Sequence, residues 1–548
     1  MKFNKYVILL FIVFVVLLTS CQNKVDLIVH NGNVYTIGEL IPKATAFVVD
    51  DGIFVDVGGD ELLKKYKAKR ILDLKSLPVY PGFIDSHCHL LNLGLSLQQV
   101  DLVGTKSFDE VLDRINRFSN KRKLKAIVGR GWDQNDWNLK HNKLPNKNEL
   151  DSLYPDIPVA LRRIDGHAML VNQAALDLAG ITYETEISGG KIVKENGKLT
   201  GVLIDSPIKL ISRVLPQPTK NEKIKALLDA EQIAFTNGLT TVSVAGLDKD
   251  DIFLIDSLQR KELLRIRIYA MISNSPDNME YYLKSGPYKT NKLNVRSFKV
   301  YADGALGSRG AALKDPYSDL INYKGSFITP KDSIETLAYK LAATPFQMNT
   351  HAIGDAANKV VLEAYKKALV LTDDPRWRIE HAQIIDTADI SLFNRKILPS
   401  VQPTHATSDM YWAEDRLGKD RLLGAYAYKS LLLQSGTIAL GTDFPVEDVN
   451  PFKTFYAATV RKDDQQFPKN GYLSENKLSP IDALKGMTIW GAYENFEDKE
   501  KGSIEIGKVA DFIILDRDIV FENEKRILKT RVVATLLDGE IVYSNRIN

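Results

Sequence analysis

Gly82-Phe83-Ile84-Asp85-Ser86-His87-Cys88-His89 is the stretch on which the reading of this chain turns. It follows the turn signal Tyr80-Pro81-Gly82, begins apolar and ends in two histidines. Side chains alternate between the faces of a strand, so His87 and His89 point to one side and Cys88 to the other. Two imidazoles on one side of a strand end can share a metal ion. A lone His-x-His pair is weak evidence. Its weight depends on what else the chain places at strand ends.

Seven more segments read as strands: 240–245, 266–272, 298–303, 347–351, 378–381, 398–402 and 438–443. They alternate with helical stretches, which predicts parallel βα units. With 83–89 they make eight, and the expected fold is α/β, a (β/α)8 TIM-like barrel over 81–502. Catalytic groups of such a barrel gather at the strand C-terminal ends. His351 closes Gln347-Met348-Asn349-Thr350-His351, His381 closes Arg378-Ile379-Glu380-His381, and Asp443 closes Ile438-Ala439-Leu440-Gly441-Thr442-Asp443. Lys299 lies inside the apolar run Ser297-Phe298-Lys299-Val300-Tyr301-Ala302-Asp303. A lysine there is hard to explain by packing, because desolvating an ammonium is costly. Each residue alone reads as structural; as barrel-strand residues all of them converge on one pocket.

Both chain ends have a different texture. Asp26 to Val29, Val34 to Thr36, the hairpin Ala46 to Val57 around Asp51-Gly52, and Arg70 to Leu74 read as short strands, as do Asp511 to Leu515, Val532 to Leu537 and Glu540 to Tyr543. Neither end has enough apolar surface to stand alone. The two are expected to combine, 25–80 with 503–548, into one small β-sandwich that carries the barrel as an insert. His30 falls in that sandwich, away from chemistry.

The stretch from about 125 to 205 does not fit the strand count. Its Trp, Asn, Gly and Pro content reads as an insertion covering the barrel mouth. Substrate contacts are therefore expected from Trp132, Asp133, Arg163 and His167 in the insertion, from Asp303 and Arg309 after the Lys299 strand, and from Gln402 at the end of the seventh strand. Trp132 is equally well explained by packing of the insertion itself. His405 and His141 read as ordinary loop residues, and the Glu and Lys residues of 497–501 as a solvated charge run.

The formal net charge is +3 over 548 residues, which gives no electrostatic reason to expect nucleic acid. The partner implied is a small molecule, with a homo-oligomer left open. Lys2 and Lys5 precede an apolar run from Tyr6 to Leu18, the length of a signal-peptide core and short for a membrane span. The run ends in Leu18-Thr19-Ser20-Cys21, which resembles a bacterial lipobox. Residues 1–20 are thus expected to be a lipoprotein signal peptide. Cys21 would carry the lipid, and the protein would be exported and held on a membrane facing the periplasm or exterior. A lipidated Cys21 cannot pair with Cys88, the other cysteine.

The order His-x-His, Lys, His, His, Asp along a barrel resembles the amidohydrolase superfamily. Gly131-Trp132-Asp133, Asp165-Gly166-His167, Ser188-Gly189-Gly190, Lys299 through Gly307-Ser308-Arg309, Thr350-His351-Ala352-Ile353-Gly354-Asp355, Val401-Gln402-Pro403 and Gly441-Thr442-Asp443-Phe444-Pro445-Val446 together resemble its YtcJ-like branch, amidohydrolase family 3. Gly502-Ser503-Ile504-Glu505-Ile506-Gly507-Lys508-Val509-Ala510-Asp511-Phe512 resembles the segment returning to the composite sandwich. The resemblance runs from Val25 to the end, with no ligand position missing. It implies one or two divalent ions, zinc or similar. His87, His89 and Asp443 would hold the more buried ion, His351 and His381 the more exposed one, with Lys299 bridging as a carbamate. Asp443 would act as general base and then acid, in hydrolysis of a non-peptide C–N bond in an amide-like or cyclic substrate. Two alternatives stand beside it: a mononuclear deaminase of the same superfamily, which needs no Lys299, and a non-catalytic lipid-anchored binding protein, which needs no full ligand set.

Cys21→Ser is expected to release the protein from the membrane fraction. A mutant that sediments with membranes as the parent does would refute the lipid anchor.

Overall fold

The computed structural model describes residues 23–120, 124–137 and 144–545. The leader, Cys21 and His141 lie outside the described residues. No helix among the described residues is long and apolar enough to cross a membrane.

Eight parallel strands follow one another around a nearly closed barrel: Phe83–Cys88, Leu239–Leu247, Arg267–Ser273, Leu293–Tyr301, Gln347–Ala352, Trp377–His381, Ile397–Val401 and Ala439–Leu440. All eight expected segments are present, in the expected order. The last is shorter than expected and ends at Leu440; beyond it, Asp443 has a left-handed backbone (φ +63°). The seam between the last and first strands is held by backbone bonds from Asp443 N–H to the His87 carbonyl and from His89 N–H to the Phe444 carbonyl, each 2.8 Å. The Asp85 carboxylate spans the same seam. It accepts from the His87 N–H (3.1 Å), the Thr442 N–H (3.0 Å) and the Thr442 hydroxyl (2.7 Å).

Strands from both chain ends form two facing sheets. One orders Ile53–Gly58, Ala46–Asp50, Asn23–His30 and Tyr66–Asp73; the other runs Glu540–Ser544, Val532–Leu537, Phe512–Leu515, Pro78–Pro81, Asn33–Tyr35 and Lys43–Ala44. Phe512–Leu515 pairs directly with Pro78–Pro81, so the six-stranded sheet needs strands from both ends. Leu27, Val29, Phe47, Phe54, Phe512, Ile514 and Leu536 fill one shared core between the two. At the expected hairpin, Asp51 and Gly52 both have positive φ, as a two-residue turn demands. Arg267, at the start of the third barrel strand, donates to both oxygens of Asp511 (2.7 and 3.0 Å) and ties barrel to sandwich.

Between the first and second barrel strands lies a third, six-stranded sheet: Val100–Asp101, Ile127–Trp132, Val159–Arg163, Ala168–Val171, Gly190–Glu195 and Lys198–Asp205. It begins earlier than the expected 125. The helix Phe108–Ser119 buries Val111 and Ile115 against Ile127 and Val159, so that segment packs with the insertion. The charge run 497–501 also departs from expectation. Glu497 and Lys501 are buried and paired at 3.0 Å, so these two are not solvated.

Asp85→Ala is expected to lower stability by about 2–4 kcal/mol, since it leaves three buried donors without an acceptor. Asp85→Asn, which keeps one acceptor oxygen, should lose less. Urea denaturation of the two variants checks the order; equal and small losses would remove Asp85 from the seam.

Candidate metal and active site

The C-terminal ends of the barrel strands and the connections that follow them gather His87, His89, His351, His381 and His405, and the inserted sheet adds His167, so six of the chain's eight histidines form one cluster. Ring centroids lie 5.6 Å apart for His87 and His89, 4.8 Å for His87 and His381, 4.5 Å for His351 and His381, 6.0 Å for His381 and His405, and 5.0 Å for His167 and His351. Asp443 sits among them. Its Oδ1 faces Nε2 of His89 at 3.2 Å and of His87 at 3.7 Å; its Oδ2 faces Nε2 of His405 at 3.5 Å. Lys299 Nζ is 3.1 Å from His87 Nε2.

Among the described residues, two groups have ligand atoms close enough to share an ion: His87, His89 and Asp443, and His381, His405 and Asp443. The donor set fits a divalent cation. Asp443 Oδ1 and His381 Nδ1 are buried without a hydrogen bond. Burial, with the neighbouring His167 and Lys299 charges, drives the pKa of His351 well below the usual histidine range; burial and the His351 and His87 charges do the same to His381. Neutral imidazoles offering lone pairs toward a buried carboxylate are what a borderline metal selects. Burial opposes ionisation of Asp443, yet His405 and His89 hold its carboxyl far below the usual range. Burial also lowers Lys299 to about 8, against the pull of Glu380 and Asp443.

Glu380 was not expected from the sequence. Its Oε2 lies 2.5 Å from His87 Nδ1, which leaves Nε2 facing the cluster. Behind it, Arg378 lies 3.7 Å from Glu380 and 3.3 Å from Glu494, and donates to the Ser86 carbonyl at 3.1 Å. Strict alternation would send Glu380 inward and His381 outward, or the reverse. His381 has φ +74°, which swings its ring back over the mouth, so both face the site. A left-handed residue costs energy and concentrates at functional sites. His405, read from sequence as a loop residue, belongs to the cluster as well. It lies in the first turn of the helix Pro403–Asp409, directly after the seventh strand, and its Nδ1 is 3.3 Å from Glu447. The available signal was its place in a βα connection, where barrel active sites are built.

The expected substrate contacts divide. His167 is at the site, its Nδ1 2.7 Å from Asp205 Oδ1. A Cβ on Gly304 or Gly310 would come within 2.5 Å of Asp205 Oδ2, so only glycine admits this carboxylate. Gln402 is buried with its Oε1 unpartnered. Trp132 is 1% exposed, donates to the Leu161 carbonyl at 2.7 Å and packs near Trp137, inside the insertion's core. Asp133 and Arg163 are spent on each other, with Arg163 also pairing Asp165 at 2.5 Å. Asp303 accepts N–H bonds from Ala312, Ile353 and Gly354, which shapes the loop beside His351. Arg309 pairs with Asp319 at 2.8 Å. Cys88 is a buried free thiol within the hydrophobic core.

An amidohydrolase family model matches residues 70–543. The chain therefore belongs to the amidohydrolase family, a class of metal-dependent hydrolases. Within it the similarity is to the YtcJ-like branch. The putative amidohydrolase YtcJ of Bacillus subtilis is 33% identical over 94% of this chain and 98% of its own length. Protein LONG AFTER FAR-RED 3 of Arabidopsis thaliana is 31% identical over 94% of this chain and 91% of its own. The N-substituted formamide deformylase of Arthrobacter pascens is 24% identical over 94% and 98%. Among solved structures, an uncharacterized metal-dependent hydrolase from Pyrococcus horikoshii matches with a TM-score of 0.74 and 28% identity, over 91% of this chain and 99% of that one.

Glu380→Gln is expected to leave a folded protein whose zinc affinity falls by about 10–100-fold, the usual effect of losing the carboxylate behind a ligating imidazole. Competition with a chromogenic chelator measures it; unchanged affinity would separate Glu380 from the metal.

Proposed function

We propose that this protein hydrolyses a non-peptide C–N bond of an amide-like or cyclic amide small molecule, using one or two divalent ions, zinc or a similar metal. The observation that carries the reading is the convergence of His87, His89 and Asp443 within ligand reach, with Lys299 3.1 Å from His87. The family membership and the deformylase named among the relatives point the same way.

When bound, the metal lowers the pKa of water to about 7 and polarises a substrate carbonyl. His87, His89 and Asp443 Oδ1 would hold one ion. His381 and His351 would serve a second. Lys299 is read as a carbamate: its neutral amine would bond to the carbon of CO2 and lose one proton, giving a carboxylate that would serve as a further metal ligand. Its lowered pKa makes the neutral amine accessible near neutral pH. Asp443 Oδ2, turned away from the first histidine pair, would take the proton of the attacking water and deliver it to the leaving nitrogen. His405 holds that oxygen in position. A mononuclear deaminase is the competing reading; Lys299 has no task in it. The lipobox-like Leu18-Thr19-Ser20-Cys21 supports the further proposal that the enzyme would be exported and held on a membrane by a lipid on Cys21.

Chelation should abolish turnover of N-formyl and N-acyl amines, cyclic ureas or amino-acid amides, and zinc should restore it. His87→Ala, His351→Ala and Lys299→Ala should each cost about 10³-fold or more in kcat/KM, roughly 4 kcal/mol. Short carboxylic acids should partly rescue only the lysine variant. Metal counts of one per chain with full activity in Lys299→Ala would favour the deaminase.

A further inference from the structure

Arg130 and Arg162 are neighbours in parallel register on adjacent strands of the inserted sheet. Both are half-buried, and both guanidiniums are held by neutral acceptors. Arg130 donates to the Pro445 carbonyl and, at 2.7 Å, to the Ile164 carbonyl. Arg162 donates to the Gly166 carbonyl at 3.1 Å and to the Ser212 hydroxyl at 3.3 Å. Among the described residues neither forms an ion pair. The next residue, Arg163, shows the contrast: it takes both nearby carboxylates, Asp133 and Asp165. Asp165 is further committed to the His167 N–H at 2.9 Å.

The pair looks onto the candidate active site. Pro445 is two residues after Asp443, and Gly166 directly precedes His167. The Arg162 charge acts on Tyr301, whose ring lies 5.0 Å from Lys299 Nζ and 5.5 Å from the His351 ring. The Ser212 that receives Arg162 also lines an open cavity of about 450 Å³ with Lys209, Arg213 and Gln217, which places two more cations beside the same side chain. Asp443, Asp165 and Asp101 attract Arg130, and Asp165 attracts Arg162, but none is in contact with either guanidinium. Two adjacent, partly desolvated guanidiniums repel each other, and an oxyanion in direct contact with both would offset that cost with charge-assisted hydrogen bonds.

We propose that Arg130 and Arg162 bind an acidic group of the substrate, so that the amide split at the metal site carries a carboxylate or phosphate on one arm. The proposal rests on the C–N hydrolase reading above and narrows it to anionic amides. A role limited to tying the insertion to the barrel would give no discrimination between charged and neutral ligands.

The test is calorimetric binding to the zinc-loaded full chain of N-methanesulfonyl amino acids, N-methanesulfonyl aminoalkyl phosphates and the matching neutral carboxamides. An acidic probe should bind at least about tenfold tighter than its neutral counterpart. Which acid does so distinguishes carboxylate from phosphate. The preference should collapse in Arg130→Gln and in Arg162→Gln and be largely kept in the two Lys variants, with neutral-probe affinity unchanged throughout. No acidic probe binding, no preference in the parent, or a preference that survives in both Gln variants would overturn the proposal. Equal losses for acidic and neutral probes would do the same. If acidic probes bind with this dependence but no amide is hydrolysed, the reaction assignment falls and the arginine assignment stands.

Discussion

The seam between the first and last barrel strands is the constraint on which the site depends. His87, His89 and Asp443 come together only because Asp443 N–H bonds to the His87 carbonyl and His89 N–H to the Phe444 carbonyl. These bonds set the distance between backbone segments more than 350 residues apart, and Asp85 locks the same crossing through Thr442. Gly441 lies against this crossing, where a Cβ would come 2.6 Å from the His87 N. The candidate metal ligands His87, His89 and Asp443 are therefore positioned by barrel closure, as preorganisation of a metal site would require.

Electrostatics then decide what the cluster can do. The site buries carboxylates, imidazoles and a lysine where water cannot screen them, so each group's charge follows from its neighbours. Glu380 illustrates this. Burial alone would protonate it, but His87, Arg378 and Lys299 hold it ionised, and the ionised carboxylate in turn fixes the His87 ring. Glu494, one step further from the imidazoles, is pushed up by burial to about 8. The charge is thus placed against the imidazole and withdrawn from the layer below. Left-handed backbone at His381 and Asp443 adds strain at the same place, which the packed barrel sustains.

The inserted sheet supplies a different kind of residue. It places His167, Arg130 and Arg162 beside the barrel mouth while its own cores, around Trp132 and around Met169, keep it rigid. Family membership identifies the reaction machinery in the barrel. Under the arginine proposal, selectivity would belong to the insertion, where Arg130 and Arg162 lie.

Much of this was legible in the sequence. Alternating apolar segments closed by His351, His381 and Asp443 determined an eight-stranded parallel barrel, because a strand's period and its breakers are local properties. Split strand pairs at both ends determined the composite sandwich, since neither end could bury its apolar face alone. The tertiary structure decided the rest. Period two could not reveal that Glu380 and His381 both face inward, because that follows from one left-handed residue. Sequence spacing could not show that His405 reaches Asp443, or that Trp132, Asp133 and Arg163 are used up inside the insertion. Nor could it show that Glu497 and Lys501 are buried partners, since charge runs are usually solvated. These outcomes depend on distances between segments remote in the chain, which only the closed barrel and the sheet laid against it bring within reach.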